Sequence, residues 1–169
     1  MVAMTTPLMI SGPVEKAVLA GAARPFCTFR LEERLFGLDV RWVKEVAAPP
    51  PITPIAHAPT AVRGYVNLRG QIQLVIDLKC LLGLTPTRLQ PDTRLVLFKP
   101  ALGDPFGVLV DRIGDIVQLR PEQIEDQRPE DGGETADNSL TCGIGKLEGE
   151  LVILLDAGRI LPCVERTQK

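Results

Sequence analysis

The sequence predicts a mainly β protein of two similar lobes, and three observations carry that expectation. Beyond the first two dozen positions, apolar residues recur with period two instead of 3.6. Glycine and proline, 15 of each, cut the chain into runs that suit strands better than helices. The same hydrophobic phase then returns, in the same order, later in the chain.

In Phe26 to Leu31 the apolar Cys27, Phe29 and Leu31 alternate with Thr28 and Arg30. After a turn at Glu32 and Glu33 the alternation resumes at Phe36, Leu38 and Val40, which predicts a hairpin. Further strands are expected at Tyr65 to Leu68, Ile72 to Ile76, Leu95 to Lys99, Phe106 to Val110, Asp115 to Leu119, Gly143 to Leu147 and Leu151 to Leu155. Arg69-Gly70, Gly103-Asp104-Pro105 and Glu148-Gly149 supply the turn chemistry between them. Many short strands with this punctuation point to small β-barrels or a sandwich.

The recurrence has a definite register. Phe36 to Val46 aligns with Phe106 to Ile116 at an offset of 70 residues, and Leu68 to Leu82 aligns with Leu147 to Leu161 at an offset of 79. The nine extra residues fit in the polar, acidic stretch from Asp126 to Ser139. Two similar lobes with apolar surface between them follow, in place of an α/β enzyme.

Composition narrows the function. With 169 residues, 45% of them hydrophobic, and a formal charge of −2, the chain can bury a core and is neither disordered nor a polyelectrolyte. Nucleic-acid binding calls for a basic footprint and stacking aromatics, and aromatic content is 4%. The four cysteines, Cys27, Cys80, Cys142 and Cys163, are scattered and accompany one histidine, so neither a disulfide framework nor a metal site is expected. No apolar run approaches the roughly 20 residues of a membrane span, and a cytoplasmic protein is expected.

Asp77 and Asp156 are the candidates for a catalytic carboxylate pair, as in a small hydrolase. Each follows an apolar strand and precedes a short helix-like run, where a carboxylate accepts from free backbone amides, so helix capping is the preferred role. His57 sits in the Pro-rich run from Pro49 to Pro59 without an orienting partner and reads as a surface-loop residue. Gly143-Ile144-Gly145 lacks the third glycine and the helix of a phosphate loop. No catalytic residue and no cofactor are expected.

One segment is more specific. Val62-Arg63-Gly64-Tyr65-Val66-Asn67-Leu68-Arg69-Gly70, running through Ile72 to Asp77-Leu78, resembles the signature of the CheW chemotaxis coupling family, a G-x-x-N-L-R-G hairpin leading into an apolar strand and D-L. Phe36 to Val40 with Val43 to Val46, then Phe106 to Asp111, then Leu151 to Asp156 are similar to that family's landmarks, in its order. Leu74 stands where the pattern has Pro, and Lys79 where it has Arg.

The resemblance implies two SH3-like five-stranded β-barrel lobes packed together, with a few short helices, spanning residues 25–161. A flexible tail (1–24), an acidic loop (126–139) and a C-terminal tail (162–169) complete the expected organisation. It implies a non-enzymatic adaptor that joins the regulatory domain of a CheA-type histidine kinase to the cytoplasmic tip of chemoreceptors, at receptor arrays, without nucleic acid or membrane insertion. A diverged member serving a motility, pilus or development pathway is the alternative. The protein-binding candidates are Val43, Glu45, Val46, Arg63, Gly64, Val66, Asn67, Arg69 and Gly70. Glu45 and Arg69 are expected to face one another. Gly64→Arg is expected to weaken receptor binding more than folding.

Overall fold

The computed structural model describes residues 22–126 and 140–166; residues 1–21 of the expected tail and 127–139 of the expected acidic loop lie outside that range. Strands β1 (Arg24–Leu31) and β2 (Arg34–Asp39) form the expected hairpin about Glu32, whose φ is 58°. The chain ends β2 at Asp39, one residue before the expected Val40, because the Asp39 carboxylate accepts the Arg41 amide at 2.9 Å and starts a short 3-10 turn, Val40–Trp42. That turn carries the chain out of one sheet and into the other. Strand β3 (Val43–Ala47) follows, then β4 (Val62–Leu68), β5 (Gln71–Asp77) and helix α1 (Leu78–Leu81). The second half repeats the order as β6 (Arg94–Phe98), β7 (Phe106–Val110), β8 (Arg112–Leu119), β9 (Ile124–Asp126), β10 (Thr141–Leu147), β11 (Glu150–Leu155) and α2 (Ile160–Arg166).

These strands make two sheets, a five-stranded one in the order β3-β6-β7-β5-β4 and a six-stranded one in the order β8-β1-β2-β11-β10-β9. The fold is mainly β and two-lobed, as expected, with β9 as an added edge strand. The lobes are not the two halves of the chain. Hairpin β1–β2 lies in the sheet of the second half, and its repeat, β6–β7, lies in the sheet of the first. The exchange is symmetric to the residue: Leu74, Val75 and Ile76 run parallel to Phe106, Gly107 and Val108, and their repeats Ile153, Leu154 and Leu155 run parallel to Phe36, Gly37 and Leu38.

Packing follows the exchange. The largest cluster of buried residues draws Phe29, Leu31, Phe36 and Leu38 from the six-stranded sheet together with Ile76, Val96, Phe98 and Phe106 from the five-stranded one. Smaller clusters fill the lobes themselves: Val66, Val75, Leu95, Leu97 and Leu109 in one, and Phe26, Leu119, Val152 and Leu154 in the other. The seam between the lobes is therefore the main core. An ion pair reinforces it, with buried Lys79 Nζ 3.2 Å from Asp111 Oδ2, and that same carboxylate oxygen accepts the Glu32 amide at 2.7 Å. The expected C-terminal tail needs correction. Cys163 and Val164 of α2 are buried in the seam, so the folded unit continues to Arg166.

Candidate docking surface

The β4–β5 hairpin presents the most specific sequence motif. Its two-residue turn, Arg69-Gly70, has φ of 52° and 83°, the doubly left-handed geometry that matches the twist of tight hairpins. Gly70 adopts it at no steric cost, whereas Arg69 does so against the ordinary preference of a side-chain-bearing residue. The turn is closed by the Gly70 amide donating to Asn67 Oδ1 at 3.0 Å. Asn67 and Gly70 thus set the shape, and Arg69 is held at the tip with its side chain 74% exposed.

Across from it, edge strand β3 supplies Glu45. Its Oε2 accepts from Arg69 NH1 at 2.7 Å, and neighbouring Lys44 Nζ lies 3.4 Å from Gln71 Oε1. No backbone ladder joins β3 to β4 or β5; these side-chain contacts draw the edge strand and the hairpin tip together. The expected facing of Glu45 and Arg69 is present. On the strands that carry the pair and its hairpin, Val46, Tyr65 and Ile72 are exposed. Val43 is half-buried and packs against the seam.

Three expected site residues point elsewhere. Val66 is buried in the core of its lobe. Arg63 NH1 donates to Asp77 Oδ2 at 3.1 Å and to the Thr87 carbonyl at 2.8 Å, so it braces the loop after α1. Gly64 has φ of 136°, and a Cβ there would lie 2.0 Å from the Thr53 carbonyl oxygen. Gly64→Arg therefore strikes the fold first, which overturns the expectation that it separates binding from folding. The burial alternation of β4 carries the signal: Gly64 and Val66 face inward while Tyr65 and Asn67 face out.

The two aspartates take capping roles. Asp77 is fully buried and accepts from the Lys79 amide (3.2 Å), the Thr87 amide (2.8 Å) and Thr87 Oγ1 (2.8 Å) in addition to Arg63. Asp156 accepts the Gly158 amide at 2.9 Å at the matching place in the other lobe. Burial, with the Asp77 carboxylate beside it, pushes the Cys80 thiol up to about 11, away from nucleophilic use. His57 is exposed in its loop with φ of 61°.

A feature the sequence did not reveal is a cleft of about 320 Å³ between the lobes, walled by Phe36, Leu82, Leu84, Ile144 and Ile153, with Arg34 at its edge. Its walls come from segments far apart in the chain. Among the described residues no helix is long and apolar enough to cross a membrane.

Comparison with known proteins agrees with this geometry. Residues 25–165 match the model of the CheW-like domain. The chemotaxis protein CheW of Klebsiella aerogenes is 30% identical over 159 residues, covering 92% of this chain and 93% of the relative. That of Rhizobium meliloti is 28% identical over 149 residues, covering 88% and 94%. The crystal structure of the scaffolding protein TtCheW from Thermoanaerobacter tengcongensis superposes with a TM-score of 0.70 at 31% identity, covering 79% of this chain and 89% of that one.

Proposed function

Because this chain belongs to the CheW family of chemotaxis scaffolding proteins, we propose that it is a non-enzymatic adaptor that docks the regulatory domain of a CheA-type histidine kinase through the β3 edge and the β4–β5 hairpin tip. The observation that carries this reading is the Glu45–Arg69 ion pair, on strands that also expose Val46, Tyr65 and Ile72. Exposed apolar side chains around an ordered charge pair offer area to bury and a polar contact that fixes orientation. Val43 supports that surface from below, and Asn67 and Gly70 fix the turn that carries Arg69. Arg63, Gly64 and Val66 act on it indirectly, by holding β4 in place.

The second partner in this reading is the cytoplasmic tip of a chemoreceptor, and the working location is the cytoplasmic face of receptor arrays. Coupling then needs no bond chemistry. If receptor packing favours one arrangement of the bound adaptor, the kinase arrangement compatible with it gains population. The shared seam suits the adaptor to this role, because a displacement at one lobe is carried to the other without a soft hinge.

The test is co-sedimentation with receptor-bearing membranes in the presence of purified kinase. The native chain should bring the kinase down with the membranes, and Arg69→Ala should leave kinase in the supernatant while the variant's thermal unfolding stays native. Equal recovery of kinase with both chains would refute the assignment of this surface.

A further inference from the structure

The repeat leaves one place on the seam filled and its counterpart open. In the second half α2 runs on past Leu161, and its Cys163 and Val164 are buried in the seam cluster with Phe106, against which Val62, Leu74 and Leu161 also pack. In the first half α1 ends at Leu81, and Gly83, at a φ of 75°, turns the chain away. At the repeat-related place, beside Phe36, Leu82 and Ile153, lies the cleft of about 320 Å³. Ile144 lines it where the first lobe has exposed Tyr65. What α2 supplies on one side of the seam, no described residue supplies on the other.

The chain carries a segment suited to that place. Ahead of β1, Val14, Ala17 and Val18 recur at helical spacing behind Pro13, much as Cys163 and Val164 follow Pro162 in α2. Glu15 stands among them. At the rim of the cleft Arg34 is exposed and belongs to none of the ion pairs among the described residues. The reach is sufficient. The nine residues from Glu15 to Arg24 extend to about 30 Å, whereas the seven steps of β1 from Arg24 to Leu31, the register partner of Arg34, cover about 23 Å. On so short a tether the segment meets the cleft at an effective concentration on the order of millimolar, so weak apolar contacts suffice.

We propose that residues 13–19 dock intramolecularly in this cleft, with Val14 and Val18 against Ile144 and Ile153 and Glu15 against Arg34, so that a partner entering the cleft must first displace the chain's own segment. The inference is independent of the kinase-docking surface.

Lys16 offers the readout, because it is the one site before β1 open to trypsin, Arg24 being followed by Pro25. Under native conditions the full chain should be cut after Lys16 about tenfold more slowly than its variant Val14→Ser with Val18→Ser, since cleavage tracks the undocked population. Ile144→Asp, placed in the cleft wall, should speed cutting to the same extent with native thermal unfolding. Amide resonances of Leu84, Ile144 and Ile153 should differ between the native chain and the serine variant, while those of Arg69 and Gly70 coincide. If Ile144→Asp unfolds, the serine variant carries the test, because its substitutions lie outside both sheets. Equal cutting rates in the native and serine chains, or coincident cleft resonances, would overturn the inference. Protection that grows with protein concentration would also overturn it, by placing the segment in the cleft of a second copy.

Discussion

Glu45 and Arg69 lie 24 residues apart in sequence, yet Oε2 of the one is 2.7 Å from NH1 of the other. The guanidinium is mostly exposed, so the pair contributes only about 0 to 1 kcal/mol to folding. Urea unfolding of Glu45→Ala, Arg69→Ala and the double variant should give stability losses within that range. The exchange Glu45→Arg with Arg69→Glu should regain part of any coupling between them. Strictly additive losses would mean that the contact holds neither the edge strand nor the hairpin tip in place.

Asp77 and Asp156 occupy the same place in the two repeats and should respond very differently. Asp77 is wholly buried and holds four donors, one of them charged, so Asp77→Ala should cost about 3–5 kcal/mol by stranding Arg63 and the Thr87 amide. Asp156→Ala removes an exposed cap and should cost about 1 kcal/mol. Thermal denaturation of the two variants decides this; equal losses would contradict the assignment.

Gly64 and Gly70 form a second contrast. Both have positive φ, but a Cβ at Gly64 meets the Thr53 backbone whereas one at Gly70 meets nothing within 4 Å. Gly70→Ala should lower stability by about 1 kcal/mol, while Gly64→Ala should shift the melting temperature far more or leave the chain insoluble. A native melting temperature for Gly64→Ala would contradict the close approach seen here.

Exchange of the hairpins makes a prediction about cooperativity. Each lobe borrows two strands from the opposite half, and the largest core cluster is the seam itself. Calorimetric and van't Hoff enthalpies of unfolding should therefore agree, with one transition for both lobes. Two separable transitions would show that the lobes are independent units.

Sequence reasoning reached the strands because period-two alternation reports which face of a strand is buried, and it reached the repeat because both halves bury the same faces. It missed the exchange, since alternation names a face and not a neighbour. Strand β3 escaped because polar Glu45 takes a half-buried position and apolar Val46 an exposed one, so apolar residues do not alternate along it. The expected domain ends at Leu161, but helix α2 runs on through Pro162 to Arg166, since proline is tolerated in a helix's first turn. Within the site, the turn chemistry of Asn67, Arg69 and Gly70 was legible, and so was the pairing of Glu45 with Arg69. The inward aim of Arg63 was not, because Asp77 and Thr87 reach it only after the chain has folded back.

The most direct test of the docking assignment is the dissociation constant of the kinase regulatory domain for the native chain and for Arg69→Ala, measured beside their urea midpoints. The account predicts binding weaker by about tenfold or more with unfolding free energies within about 1 kcal/mol of each other. An unchanged dissociation constant, or a loss of binding that merely follows a loss of stability, would contradict it.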